Sequence, residues 1–353
     1  MKKTTIYDIA KKLNITAATV SRALNDSPRI SEKTRELVKK TAFEMAYQQN
    51  KLALALKSGR SNNVGVIVPH INRNFFASVI QGIEEELSAH NFHVIITQTH
   101  NDSKKEIENL DALLNAQIDG VLMSVSGAME NEEHLKALLK KNVPIIFFDK
   151  KRDIEGISSV TIDDFQGGYD ATQHLIEEGC TRIAHFIVNK TEQIYQERFR
   201  GYKEALEDNG IPYDENYVIE LESDIEEGKK GLKQLLKMEN PPDAIFSSSD
   251  FAALGAIQEL RAQKIKVPEE FCVVGFSNEP FTKFMILSIS TVEQFPVEMG
   301  QMAAKVFLEQ INGGNTRIEK KVVLSPKLYI RKSSSRKEAL KLKEEKVSYN
   351  ETP

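Results

Sequence analysis

The chain has 353 residues, of which 41% are hydrophobic and 28% charged, with a formal net charge of −4 and a pI near 6.1. That is too long for one ordinary domain, and the composition is that of a globular chain rather than a fibrous or disordered one. No apolar run approaches the ~20 residues of a membrane span, and MKKTTIYDIA has no apolar stretch behind its lysines, so no secretory signal is expected there and a cytoplasmic protein is expected.

The net charge hides an asymmetry. Residues 1–60 hold 13 Lys/Arg against 5 Asp/Glu, a net of +8, and the rest of the chain carries −12. A small basic module on an acidic body suits a polyanion at one end only. In that module Ile6, Ile9, Ala10 and Leu13 follow the spacing of a helix face. Asn14 can take the left-handed backbone of a sharp turn. A second face follows at Ala17, Val20, Ala23 and Leu24. Two short helices joined by such a turn form a helix-turn-helix, whose second helix enters the major groove of DNA. A third helix starts at the N-cap Ser31 and presents Leu37, Val38, Ala42 and Met45. The connector 47–63 starts amphipathic and ends in Ser58-Gly59-Arg60-Ser61-Asn62-Asn63, which has linker composition.

From Val64 onward β-rich runs alternate with helical patterns. Strands are predicted at 64–68, 93–97, 120–124, 144–148, 159–162, 182–188, 244–246 and 272–276. Helices are predicted at about 75–90, 103–116, 131–141, 165–178, 195–209, 225–238, 250–263 and 296–312. Continuous apolar runs such as VGVIV and PIIFF belong to strands buried on both faces, as in parallel sheets. Alternating βα units over some 270 residues of chain imply two doubly wound subdomains. The two cysteines, Cys180 and Cys272, lack metal or CxxC spacing and read as buried thiols. From about Arg336 the chain turns polar and Lys/Glu-rich, so residues 336–353 are expected to be disordered.

Ligands of doubly wound folds bind beyond the carboxyl ends of the strands. Those ends here are polar or aromatic: Asn74 and Phe75 after the first strand, Ser124 after the third, Asp149 after the fourth, Asp250 after the SSS run that follows Phe246, and Ser277 after the last. A cleft shared by such ends is the expected binding site. No GxSxG, Walker-type loop or metal-spaced His pair occurs, and Gly167-Gly168, placed in a strand-to-helix turn, is no GxGxxG. No enzyme activity, cofactor or metal is therefore expected.

Taken together, TIYDIAKKLNITAATVSRALN, PRISEKTRELVKKTAFEMAY, NKLALALKSGRSNNVGVIVP, TIDDFQGGYDATQHLIEEG, ERFRGYKEAL, DAIFSSSDFAALGAIQEL and VPEEFCVVGFSNEPF resemble the LacI/GalR family of bacterial transcriptional regulators over about residues 4–333. The resemblance implies an all-α helix-turn-helix headpiece at 1–46 and a hinge helix and linker at 47–63. It also implies a periplasmic-binding-protein-like α/β core at 64–335, with an N-subdomain of about 64–162 and 291–322 and a C-subdomain of about 163–290 and 323–335. It further implies a homodimer on a palindromic double-stranded operator, repressing carbohydrate-utilisation genes under the control of a sugar-like effector in the interdomain cleft. A nucleobase-responsive regulator of purine-type metabolism is the alternative effector class. A solute-binding sensor with no DNA role is the alternative of a different kind.

By the same resemblance, Thr16, Ala17, Ala18 and Arg22 match base-reading and groove-facing positions. Alanine suits a thymine methyl and arginine suits guanine. Thr5, Tyr7, Ser21, Asn25, Arg29 and Thr34 match phosphate-holding positions. Asn50, Ala53, Leu56 and Lys57 match the family's minor-groove helix, with Leu56 as the wedge at the central base step. In the core, Arg198 is the leading effector contact, a guanidinium fork suited to paired hydroxyls or a carboxylate. Asp149 is expected to accept hydroxyls, and Phe75 and Phe246 to offer flat faces. Asn14 stands where the family usually has Gly, Gln49 where it often has Pro, and Ser277 where many members carry Asp. The tail lacks the leucine heptads that make some members tetramers, which favours a dimer.

Overall fold

The computed structural model of the protein describes residues 4–47, 60–127, 132–313, 318–339 and 341. The chain divides into two compact units, Met1–Ser61 and Asn62–Pro353. The candidate hinge residues Asn50, Ala53, Leu56 and Lys57 lie outside the described residues.

Among the described residues the first unit is three helices around a small core. Helix α1 (Ile6–Leu13) opens with a capping box, in which the Asp8 backbone N–H donates to the Thr5 hydroxyl and the Asp8 carboxylate accepts from Thr5. It closes on Asn14 at φ 53°, the left-handed turn expected from the sequence. Helix α2 (Ala17–Leu24) is capped by the Thr16 hydroxyl, and α3 (Glu32–Glu44) by that of Ser31. Ile9, Ala10, Val20, Ala23, Val38 and Ala42 form the core. Leu37, expected inside, is 51% exposed, because Val38 takes the inward position of that turn.

The second unit is two lobes, each a six-stranded sheet with helices on both faces. The first sheet is built from β1 (Asn63–Val68), β2 (His93–Gln98), β3 (Gly120–Met123), β4 (Ile145–Phe148), β5 (Ser158–Ile162) and β11 (Lys321–Leu324), in the order β11-β5-β4-β3-β1-β2. The second holds β6 (Ile183–Ile187), β7 (Val218–Glu220), β8 (Ala244–Ser247), β9 (Cys272–Phe276), β10 (Ser290–Glu293) and β12 (Lys327–Tyr329), in the order β12-β10-β9-β8-β6-β7. All neighbours are parallel except β10 and β12. The helices are α4 (Asn74–Ser88), α5 (Ser103–Asn115), α6 (Glu133–Lys140), α7 (Asp164–Glu177), α8 (Gln193–Asp208), α9 (Ile225–Leu235), α10 (Asp250–Ala262), α11 (Pro280–Phe284) and α12 (Pro296–Asn312). None of the described helices is long and apolar enough to cross a membrane. Both cysteines are buried and free.

Three crossovers join the lobes, at Asp163, at Gln294-Phe295 and between β11 and β12. The expected boundaries move accordingly. Residues 291–293 belong to the second lobe because β10 pairs with β9, and Val323 and Leu324 belong to the first because β11 pairs with β5. Gly167 and Gly168 sit inside α7 rather than in a turn before it. Arg336, expected to open a disordered segment, is instead held by the core, its guanidinium donating to the carbonyls of Pro268, Asp243 and Glu270, and residues 342–353 lie outside the described residues.

Paired glycines bring the helices of each lobe unusually close. A Cβ on Gly82 of α4 would stand 2.0 Å from the Val297 carbonyl oxygen, and one on Gly300 of α12 would stand 2.1 Å from that of Val79. Gly168 and Gly201 do the same for α7 and α8, and Gly228 and Gly255 for α9 and α10. Each crossing is a backbone-to-backbone contact that any side chain would prise apart.

Candidate functional site

Two regions carry candidate chemistry. In the headpiece, Ala18, Arg22 and Asn25 recur at i, i+4 and i+7 on the exposed side of α2, with Ala17 and Ser21 half-buried beside them. Tyr7 is 72% exposed on α1, and Arg29 is exposed after α2. Several of the other hydroxyls and amides have structural work. The Thr5 and Thr16 oxygens cap α1 and α2, Thr34 bonds the Ser31 hydroxyl, and the Asn25 side-chain amide donates to the Ser21 carbonyl at 2.8 Å.

The second region is a cleft of about 680 Å³ between the lobes of the core, lined by the carboxyl ends of strands from both sheets. Arg198, on the buried face of α8, lies at its floor. Its Nε donates to Asp164 Oδ1 at 2.8 Å, Nη1 to the Ser248 carbonyl at 3.3 Å and Nη2 to Gln294 Oε1 at 3.2 Å. The guanidinium also lies 3.6 Å above the Phe276 ring. Asp164 and Gln294 flank two of the three crossovers, so Arg198 ties both to α8. Burial raises the Asp164 carboxyl to about 6 despite the opposing charge of Arg198. Of the five N–H donors of the fork, three make these bonds and two donate to no described residue.

Of the other expected contacts, Phe75, Asp149, Asp250 and Ser277 line the cleft with Arg198. Asp149 sits at φ 61° and accepts from the Ser124 hydroxyl at 3.0 Å. Burial raises its carboxyl, against the pull of Lys150 and Arg198. Ser277 Oγ accepts from the Gln294 amide at 3.0 Å. Asp250 is committed to the protein, since it accepts the Glu279 backbone N–H at 2.8 Å and the Thr291 hydroxyl at 2.7 Å. Desolvation, with Glu279 adding to it, pushes Asp250 to about 7.

Three expected contacts are not cleft residues. Asn74 is exposed outside the cleft lining. Ser124 is fully buried and serves to hold Asp149. Phe246 is fully buried, 4.8 Å from the His185 ring and 6.3 Å from Phe276, so it is a core residue and no stacking face for a purine. Its strand is buried on both faces, so alternation could not say which face met the ligand.

The residues that clasp the lobes together are not among the contacts expected from the sequence. Arg73 of the first lobe donates to the Ser223 carbonyl of the second at 3.2 Å and lies 4.6 Å over the Phe251 ring. Lys150 reaches Glu192 across the cleft at 2.6 Å, with both side chains nearly buried. Tyr195 also lines the cleft, one turn before Arg198 on the same helix face. That i, i+3 spacing was the one available signal.

Residues 5–50 match the family model "Bacterial regulatory proteins, lacI family", and residues 61–333 match "Periplasmic binding proteins and sugar binding domain of LacI family". The chain belongs to the LacI family. It is 34% identical over 336 residues to the HTH-type transcriptional regulator DegA of Bacillus subtilis, covering 94% of this chain and 98% of that one. Among solved structures, a transcriptional regulator CelR–cellobiose complex aligns with a TM-score of 0.70 and 28% identity over 94% of this chain and all of that one. A LacI family transcriptional regulator from Enterococcus faecium with bound ribose aligns with a TM-score of 0.70 and 26% identity over 78% of this chain and 99% of that one. The LacI-family protein described here is thus a DNA-binding transcriptional regulator, with a helix-turn-helix unit and a periplasmic-binding-protein-like core.

Proposed function

We propose that the protein is a homodimeric repressor whose affinity for a palindromic operator is switched by a sugar-like effector bound between the core lobes. The observation that carries this reading is the cleft, where a fork with two N–H donors unbonded to the described residues, the Asp149 carboxylate and the Ser277 hydroxyl line one space with the half-buried Tyr195 and Phe251. Such a set suits a hydroxyl-rich ring. The sugar-bound relatives support the same class.

In the headpiece, Ala17, Ala18 and Arg22 read bases, and Tyr7, Ser21, Asn25 and Arg29 hold phosphates. In the hinge, Leu56 is the minor-groove wedge. One short recognition helix makes too few base contacts to specify a site alone, which calls for two copies. Apolar side chains left on the surface of the core support a dimer: Phe284 is 79% exposed, Ile286 96%, Ile71 54% and Ile96 47%.

The test is footprinting of the full chain on the DNA upstream of its own gene, with and without a panel of sugars. Two symmetric half-sites, and a sugar that shifts the protein concentration at half protection, are the expected result. A single asymmetric half-site protected by a monomer rejects the dimer, and indifference to every sugar rejects the effector class.

A further inference from the structure

The acidic wall of the cleft shows what else the ligand must carry. Glu279 lies three residues after β9, lines the cleft and is 7% exposed. Its backbone is satisfied, because the N–H donates to Asp250 and the carbonyl accepts the Thr282 hydroxyl. Its carboxylate meets no donor among the described residues. Arg73 is near enough to oppose the rise that burial causes in the Glu279 carboxyl, but its guanidinium donates to Ser223 and stacks on Phe251 instead. A carboxylate largely withdrawn from water with no hydrogen-bond donor is costly, and one that faces a binding cleft marks where a ligand donor can sit.

The surrounding charges sharpen the point. Asp164 is paired with Arg198, and Glu192 with Lys150. Asp149 has the Ser124 hydroxyl, and Asp250 has Thr291 and a backbone N–H. The Glu279 carboxylate alone of these has no bonded partner among the described residues, with Arg73 acting on it only at a distance. Outside it the rim is acidic as well: Glu222 is exposed and Asp224 caps α9, and both line the cleft. Against Glu279, Glu222 and Asp224 this end of the cleft sets, among the described residues, the single cation Arg73, so its charge is net negative and favours a cation over a phosphate or carboxylate. A hydroxyl would supply a donor but leave the charge. An ammonium supplies donors and charge together.

We propose that the effector carries a protonated amine seated on Glu279, with its hydroxyl-rich part toward Arg198 and Asp149, which makes an amino sugar the ligand class. The assignment deepens the sugar reading above and rests on it for the hydroxyl-rich end. The ligand would span the cleft from the fork on α8 to the segment after β9, and so bridge the two crossover-linked ends of the second lobe.

The experiment titrates the full chain by calorimetry at about pH 7 with matched probes: glucose and glucosamine, galactose and galactosamine, N-acetylglucosamine as the neutral bulky control, a glucose phosphate ester as the anion, and putrescine as an amine without a sugar. At least one amino sugar is expected to bind about tenfold or more tighter than its neutral partner, the advantage of a charge-assisted bond over a neutral one. Glu279→Gln is expected to bring that ratio to near one. The unliganded Glu279→Gln protein is expected to melt at or above the parent temperature, because an unmatched buried charge has gone. A neutral sugar that binds as tightly as its amine overturns the amine and leaves the sugar reading standing. Putrescine binding without any sugar supports the amine and overturns the sugar reading. Binding by no probe overturns both. A variant that melts several degrees lower means the protein itself supplies a partner for Glu279, and the proposal fails.

Discussion

Arg198→Ala tests how the cleft floor is held. From the sequence alone this change reads as the loss of one ligand contact. In the structure it removes three hydrogen bonds and a ring contact from a fully buried site and leaves Asp164 without its partner. The charge part can be bounded. With Arg198 present, burial holds the Asp164 carboxyl at about 6 against an ordinary 3.8, a cost of about 3 kcal/mol at neutral pH at about 1.4 kcal/mol per unit. Without Arg198 the carboxyl takes a proton instead, and the cost stops at about 4 kcal/mol at pH 7, so the charge adds only about 1 kcal/mol. The lost bonds to Ser248 and Gln294 and the contact with Phe276 add about 1 kcal/mol each. The expected loss is thus about 3–5 kcal/mol, a large part of the ~5–15 kcal/mol that holds a typical domain.

Urea unfolding of the full chain measures it, followed by the core's own spectroscopic transition. Asp164→Asn with Arg198→Met should recover at least about 1 kcal/mol relative to Arg198→Ala, because no charge is stranded and the stem still packs on Phe276. The pH dependence carries a sign. Asp164 has a raised folded-state value, so its neutral form favours the fold. Stability from this group is full below about pH 4 and falls as pH rises through about 6. In Arg198→Ala that decline should extend to higher pH. An Arg198→Ala protein within about 1 kcal/mol of the parent, or a double variant less stable than Arg198→Ala, would refute the bracing role. Because truncation threatens the fold, Arg198→Lys is the better probe of ligand affinity, since it keeps a charge near Asp164 but loses the fork.

Asp250, raised to about 7, has the same sign over a higher window, so it should cost the parent up to about 4 kcal/mol as pH rises from about 4 to beyond 7. Thermal melts across pH 5–8 should show that decline, and Asp250→Asn should flatten it; an unchanged slope rejects the assignment. Gly300→Ala should destabilise the core by about 1–3 kcal/mol, since the new Cβ would meet the Val79 carbonyl oxygen at 2.1 Å, whereas the same change at an open helical site gains up to about 1 kcal/mol. A stabilised variant in denaturant melts would show that α4 and α12 are free to separate. Arg22→Ala should cost about 1–3 kcal/mol on the cognate operator and much less on random DNA. Equal losses on both, in gel-shift titrations, would make Arg22 a phosphate contact.

What the sequence made legible follows from locality. Parallel strands buried on both faces, such as VGVIV and IIFF, appear as continuous apolar runs, and the helices beside them keep a 3.6-residue period, so both could be placed to within a few residues. Strand β10, Ser-Thr-Val-Glu, was not placed because its buried polar side chains answer distant groups: Thr291 serves Asp250, and Ser290 bonds Arg331 and Ser334. The glycines of the helix crossings look like weak helix residues one at a time, and their meaning exists only in pairs from different helices. The cleft divides the same way. Arg198, Asp149 and Ser277 stand at strand ends or in a quoted motif, where position alone marks them. Lys150 follows Asp149 directly in the chain, yet it pairs with Glu192 across the cleft, a partner that exists only once two lobes with no shared sequence pattern are brought together. Glu279 is the extreme case. A glutamate before a proline is an ordinary helix start, and only burial without a donor gives it meaning. Part of the acidity of the body, which by composition alone reads as a solvated surface, is thereby placed inside the cleft, where under the proposed reading it would select among ligands by charge.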